Sequence, residues 1–313
     1  MYAYVGRRVI GTLPVILVIA LVIFLILHLS GGDPAAIIAG DHATDEDIKA
    51  IRDKLGLDRP LAEQFLTWLW NVMQGDFGVS IFNRVPVGTL ILQRVEPTLM
   101  LTLTVIVFSV ILALPMGIAA AWYAGTWIDR SLMALAVLSF SLPVFVIGYG
   151  LVYAFSLQVP ILPVQGYRSL ADGIGPFARH MVLPTISLGL VYTALLARMT
   201  RSSFLEVLSQ DYIRSARAKG MASFQLITIH ALKNASVPIV TTIGSGIAVL
   251  IGGVVVTESV FAIPGIGRLT VDALLRSDFP VIQGVILVFS FFYVILNLAI
   301  DLIYTVLDPR IRY

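Results

Sequence analysis

Six stretches of the chain carry no Asp, Glu, Lys or Arg: residues 9–29, 97–128, 131–159, 181–197, 235–257 and 280–300. A helix rises about 1.5 Å per residue and needs about 20 apolar residues to cross the hydrocarbon of a bilayer. Each stretch therefore predicts a spanning helix. Isolated strands are excluded as spans, because their backbone N–H and C=O groups would stay unpaired in lipid. The fourth stretch is short. It gains length by carrying Arg198 to the interface, where a long side chain can snorkel. The second and third exceed one span and predict tilt or interfacial turns. Pro14, Pro115 and Pro143 predict kinks.

Between the apolar stretches lies one long charged segment, residues 31–94. Thr44 followed by Asp47 has the form of a capping box. Ile48, Ile51 and Leu55 then share a helical face, and Gly56 offers a C-cap. Pro60 suits the first turn of a second helix, whose apolar face is Phe65, Trp68, Leu69 and Val72. This segment is either a small cap on the outer ends of the spans or a docking surface for whatever delivers a solute. The predicted organisation is a first spanning helix in 1–30, this extracytoplasmic segment in 31–94, a core of five helices in 95–307, and a tail in 308–313.

Composition agrees with a bilayer solvent. Of 313 residues, 58% are hydrophobic and 13% charged, against about 25% charged in soluble domains. Arg7 and Arg8 before the first apolar run resemble a signal peptide, but the run is too long and no A-x-A site follows. Lys and Arg in short loops set orientation. With the N-terminus in the cytoplasm, the inner set is Arg7, Arg8, Arg130, Arg198, Arg201, Arg214, Arg217, Lys219, Lys233, Arg310 and Arg312. The short outer loops then hold Arg168, Arg179, Arg268 and Arg276. Six spans return the C-terminus to the same side, so both termini are expected to be cytoplasmic. A net charge of +2 gives no strong field that points to nucleic acid, and membrane lipid is the expected surrounding.

Little catalytic chemistry is visible. Cysteine is absent. There is no P-loop, no H-E-x-x-H and no G-x-S-x-G. His28, His42, His180 and His230 are scattered, so no metal site is expected. Glu258 and Asp301, near span ends, are either functional carboxylates or loop anchors. Gly244, Ala248 and Gly252 recur every four residues and predict a close helix contact, within the bundle or with a second subunit.

The loop between the fourth and fifth stretches is the most informative. It runs Asp211-Tyr-Ile-Arg-Ser-Ala-Arg-Ala-Lys-Gly220, a short helix too charged to span. Tyr212, Ile213, Ala216 and Gly220 share much of one side. Arg214, Arg217 and Lys219 are cationic, and Ala216, Ala218 and Gly220 are small enough for close approach. By residues alone it is either a surface helix drawn to anionic headgroups or a docking element. This run, followed by His230-Ala-Leu-Lys-Asn-Ala235 and Pro238, resembles the coupling loop (residues 203–234) of ABC importer permeases, in particular the dipeptide/oligopeptide branch. Gly32-Asp33-Pro34, Leu55 to Leu61, Gly75-Asp-Phe-Gly78, Glu258 to Gly267, Asp301 to Tyr304 and Asp308-Pro-Arg310 extend the resemblance along nearly the whole chain. Arg214-Ser215-Ala216 stands where the general permease motif has E-A-A, and Pro238 comes late.

The resemblance implies an all-α membrane protein with the type I ABC importer permease fold. It implies a non-catalytic subunit of the bacterial inner membrane that moves di- or oligopeptides by alternating access. Nickel, glutathione and opines are carried by similar members. ATP and Mg would sit on two partner ATPase subunits, with none bound by this chain. The further partners would be a homologous second permease and an extracytoplasmic substrate-binding protein. Asp211, Tyr212, Ile213, Arg214, Ala216, Arg217, Ala218, Lys219 and Gly220 would contact the ATPase. A secondary transporter complete in one polypeptide is the competing class.

Overall fold

The computed structural model describes residues 2–29, 34–39 and 43–307. Gly32, Asp33, His42 and the tail with Asp308 and Arg310 lie outside the described residues, as do the side chains of His28, Ile51, Leu55, Ala248 and Asp301. Among the described residues the structure is helical, with only an isolated bridge between Val79 and Pro86. In chain order the helices are α1 (Tyr2–Leu29), α2 (Pro34–Ala39), α3 (Asp45–Leu55), α4 (Leu61–Met73), α5 (Val87–Trp122), α6 (Trp127–Ser141) and α7 (Val144–Val152). They continue with α8 (Ile174–Leu208), α9 (Asp211–Ala218), α10 (Ser223–Gln225), α11 (Leu232–Val260), α12 (Ile266–Leu275) and α13 (Phe279–Leu307). A π-helical turn, Tyr153–Gln158, extends α7, and another, Leu226–Ala231, joins α10 to α11.

Among the described residues, four helices, Val87–Trp122, Ile174–Leu208, Ser223–Ile247 and Phe279–Ala299, are long and apolar enough to cross a membrane, and a bent pair, taken as one span, supplies a fifth. In α1 the apolar run covers Pro14–Leu25. The third expected span is not one rod. It breaks at Leu142 and Pro143, and its halves meet at 96°, because proline removes a helix N–H and restrains the residue before it. By contrast Pro97 and Pro115 lie inside the single helix α5. The helix begins at Val87, so the division at 94/95 falls within α5, and Val87 N–H donates to Gly78 C=O where the preceding turn hands over the chain.

The chain divides into two compact units. One comprises the described residues up to Val95 with Leu269–Leu298. Here the expected capping box is present: the Thr44 side chain accepts from Asp47 N–H, and Asp47 accepts from Thr44. Gly56 closes α3 at φ 66°. Phe65, Trp68, Leu69 and Val72 of α4 pack with Ala20 and Ile23 of α1 and with Leu287, the Phe24 and Phe65 rings lying 5.4 Å apart edge to face. The buried Asp278 anchors the turn before α5, accepting from the Ser80 hydroxyl at 2.5 Å and from Ile81 N–H at 3.2 Å.

The other unit comprises Glu96–Arg268 with the described residues from Ala299 onward. α8 is its central helix: 67% of its most apolar window is buried, against 22% for α5. α6, α7 and α11 pack around it. Leu188 and Tyr192 of α8 lie in one cluster with Leu250 and Val254 of α11, and Leu196 and Phe204 in another with Ala231, Ala235 and Ile239. The peripheral helices turn large apolar side chains outward, among them Ile111, Val137 and Leu138, as helices facing lipid do.

Within this unit α8 and α11 approach closely at Gly246, where a methyl group would overlap the Tyr192 ring, and at Gly253, where it would overlap Leu188. The sequence left Gly244, Ala248 and Gly252 open to a contact within the bundle or with a second subunit. Gly244 is buried, but Gly252 is exposed with open space around it, so it makes no close contact inside the unit. The period of four reported small residues but not which of them meets a neighbour. We predict that Gly246→Ala costs about 1–3 kcal/mol through overpacking, read as a lower thermal midpoint in detergent, whereas Gly252→Ala leaves the midpoint unchanged or raised.

Candidate coupling site

The short helix α9 follows α8 after Ser209 and Gln210. Its charge order suits the helix dipole, with Asp211 in the first turn and Arg217 in the last. Asp211 and Arg214 lie 3.5 Å apart on an exposed surface, a pair that contributes little. The helix ends where Gly220 adopts φ 80°. Gly220 N–H donates to Arg217 C=O at 3.0 Å and Met221 N–H to Ala216 C=O at 3.3 Å, a Schellman closure that favours glycine at this position. Gly220 therefore has a backbone reason to be glycine besides its small size.

One side chain seats the helix. Ile213 is 1% exposed, and Ala216 is half-buried beside it. Asp211, Tyr212, Arg214, Arg217, Ala218, Lys219 and Gly220 are exposed. The expected shared side thus divides. α9 packs against α8 and the π-helical turn with Ile213 and Ala216 turned inward, while Tyr212 and Gly220 belong to the outer, largely cationic surface. The Tyr212 hydroxyl accepts from Asn234 Nδ2 at 3.0 Å, and the same Nδ2 lies 2.9 Å from His230 C=O. The run His230 to Ala235 therefore positions the tyrosine from α11.

Three further residues at this end of the unit were not singled out from sequence as site residues. The Arg217 guanidinium lies 5.5 Å from the centroid of the Trp122 ring, at the last residue of α5. Seven residues later Asp129, 4% exposed, receives a bidentate fork from Arg201 of α8, Nε to Oδ1 at 2.6 Å and Nη2 to Oδ2 at 2.7 Å. Gly125 N–H also donates to Asp129 Oδ2 at 2.9 Å. The available signal was that Asp129 is the only acidic residue between Glu96 and Asp172.

Residues 113–313 match the family described as binding-protein-dependent transport system inner membrane component, and residues 1–102 match the N-terminal part of such membrane components. The chain belongs to this family of ABC importer permeases. It is 49% identical over all 313 residues, and over the whole length of the relative, to a probable peptide ABC transporter permease protein, y4tP, of Sinorhizobium fredii. It is 42% identical, again over both full lengths, to the glutathione transport system permease protein GsiC of Escherichia coli and of Salmonella typhi. Among solved structures, a chain from inward-facing conformations of the MetNI methionine ABC transporter superposes with a TM-score of 0.58 at 18% identity, over 70% of this chain and 96% of that one. The fold is therefore the all-α type I importer permease fold, as the sequence resemblance implied.

As a permease of this family the chain is a non-catalytic, multi-pass component of the bacterial inner membrane, and it works with ATPase and substrate-binding components. A further buried carboxylate also takes its place. Glu258, at the end of α11, is 0% exposed. It accepts from the Thr98 hydroxyl at 2.6 Å and from Arg268 N–H at 2.9 Å, while Thr98 Oγ1 accepts from Ile266 N–H at 2.8 Å. The first turn of α12 is thus capped by residues from α5 and α11. Gly265 is required, because a methyl group there would overlap the carboxylate. Glu258 is a loop anchor, the alternative the sequence left open. At the same end of α5, Glu96 accepts from Tyr167 at 3.0 Å and from Ser169 at 2.6 Å. Burial, then Glu96, raises the Tyr167 phenol well above its usual value, so it remains a donor.

Proposed function

We infer that this permease imports di- or oligopeptides across the cytoplasmic membrane, with α9 gripped by a separate ATPase. The observation that carries the substrate class is full-length similarity to a probable peptide permease. Similarity to glutathione permeases agrees, because glutathione is itself a tripeptide. The exposed cationic surface of Tyr212, Arg214, Arg217 and Lys219 supports the coupling role, since a helix seated on the side of Ile213 and Ala216 leaves its outer face to a partner. α1, α5, the bent α6–α7 pair, α8, α11 and α13 would form six spans, with both termini in the cytoplasm.

The remaining partners would be a homologous second permease, two ATPase subunits that hold ATP and Mg, and an extracytoplasmic binding protein. Gly252, exposed and open, suits a contact with the second permease. A stand-alone carrier driven by protons would need carboxylates free to titrate. Among the described residues, Asp129 is taken up by Arg201 and Glu258 by Thr98 and the amide of Arg268.

Proteoliposomes carrying the complete complex, its binding protein and internal ATP are expected to accumulate labelled tripeptides. Those carrying this chain alone should accumulate none. ATP-independent accumulation by the chain alone would overturn the assignment. Uptake of nickel but not peptide by the complete complex would overturn only the substrate class.

A further inference from the structure

We propose that the Asp129–Arg201 pair, with Trp122 against Arg217, is the linkage that makes α6 follow the coupling helix. It rests on the coupling role of α9 and extends it to residues outside that helix. Four observations converge on the turn between α5 and α6. Its first flank, Trp122, lies against Arg217 of α9. The turn itself donates Gly125 N–H to Asp129. Asp129, in the first turn of α6, takes both arms of the Arg201 fork. Arg201 sits seven residues before the end of α8, the helix that leads directly into α9.

Geometry makes this a linkage more than a local tie. A planar guanidinium bound through two nitrogens fixes direction as well as distance, so a rotation of the end of α8 is passed to α6 as a rotation. The far end of α6 is the 96° bend at Leu142 and Pro143. Beyond it, α7 packs on both α8 and α11. Displacement of α9 by its partner would thus reach the bend by two routes, through Trp122 at the end of α5 and through Asp129 at the start of α6. Helix packing alone between α6 and α8 would let the two slide.

The linkage can be removed without leaving a charge stranded. Breaking one partner of a buried pair leaves the other uncompensated, whereas apolar replacement of both is often tolerated. Asp129→Leu/Arg201→Met is therefore the informative variant. The chain has no native cysteine, so spin labels can be placed at Ala134→Cys on α6, Ser215→Cys on α9 and Thr241→Cys on α11, all exposed. Distances from Thr241 to each of the others are measured by pulsed electron resonance in the complete complex, without nucleotide and with ATP trapped by vanadate.

In the unsubstituted protein both distances are expected to change on trapping. In the double variant the α9 distance should change as before, while the change at α6 falls to less than half. An undiminished change at α6 would overturn the linkage and leave the coupling role of α9 standing. No change at α9 in the unsubstituted protein would overturn both. Should the double variant fail to assemble, Arg201→Lys, which keeps the charge and loses the fork, is expected to reduce the α6 change, and an undiminished change there would equally overturn the linkage.

Discussion

Ile213→Asp is expected to abolish import while leaving the permease in the membrane. Ile213 is the one fully buried side chain of α9, and burying an isoleucine contributes about 1.5–3 kcal/mol. An aspartate there loses that contribution. It must also desolvate a carboxylate or swing out into water. A loss of about 3 kcal/mol lowers the population of the seated helix relative to the unseated one by about a factor of 100. Insertion depends on the long apolar helices, which the substitution does not touch. The measurement is ATP-driven uptake in proteoliposomes alongside the amount of permease recovered from the membrane. Ile213→Val, which keeps the apolar contact at a cost of about 1 kcal/mol, is expected to retain most uptake. Unaltered uptake in Ile213→Asp would show that α9 needs no seat on this chain.

That prediction depends on a division the sequence did not make. The basic run was legible as a short helix, and its resemblance to a coupling loop was legible residue by residue. Which of Tyr212, Ile213, Ala216 and Gly220 faced inward was not, because eight residues of helix fix only two or three inward positions. The capping box at Thr44 and the left-handed Gly56 were legible because they are local: every atom involved lies within a few residues.

The pairs that organise the larger unit are not local. Asp129 and Arg201 are 72 residues apart, and Thr98 and Glu258 are 160 apart. A lone acidic residue announces that a partner is needed but not which cation supplies it. The partner of the small-residue face of α11 was left open for a related reason. In lipid both sides of a helix can be apolar, so periodicity does not distinguish the side that meets α8 from the side that meets the bilayer or another subunit. The bend at Pro143 was foreseen as a kink, but proline states only that one hydrogen bond is lost. Its angle of 96° is set by the packing of α7 on α8 and α11.

Glu258→Ala is expected to destabilise this unit strongly. It leaves the part-buried Arg268 N–H without this acceptor, and it takes from the Thr98 hydroxyl the carboxylate to which it donates. Stranding a buried donor costs about 1–3 kcal/mol, and the empty space where the side chain stood adds to that. The expected total is about 3–4 kcal/mol, which lowers the thermal midpoint by about 6–16 °C for a unit of this size. Glu258→Gln keeps the volume and can still accept from Arg268 N–H through its carbonyl. Its amide, though, presents a donor to the Thr98 oxygen that already accepts from Ile266 N–H, so an intermediate loss is expected. Thermal unfolding in detergent distinguishes these outcomes. If the alanine variant melts with the parent protein, the turn from Phe261 to Gly267 is held by its own backbone, and the carboxylate is a passenger. If alanine and glutamine lose equally, the negative charge itself, acting on the N-terminal amides of α12, is what fixes the turn.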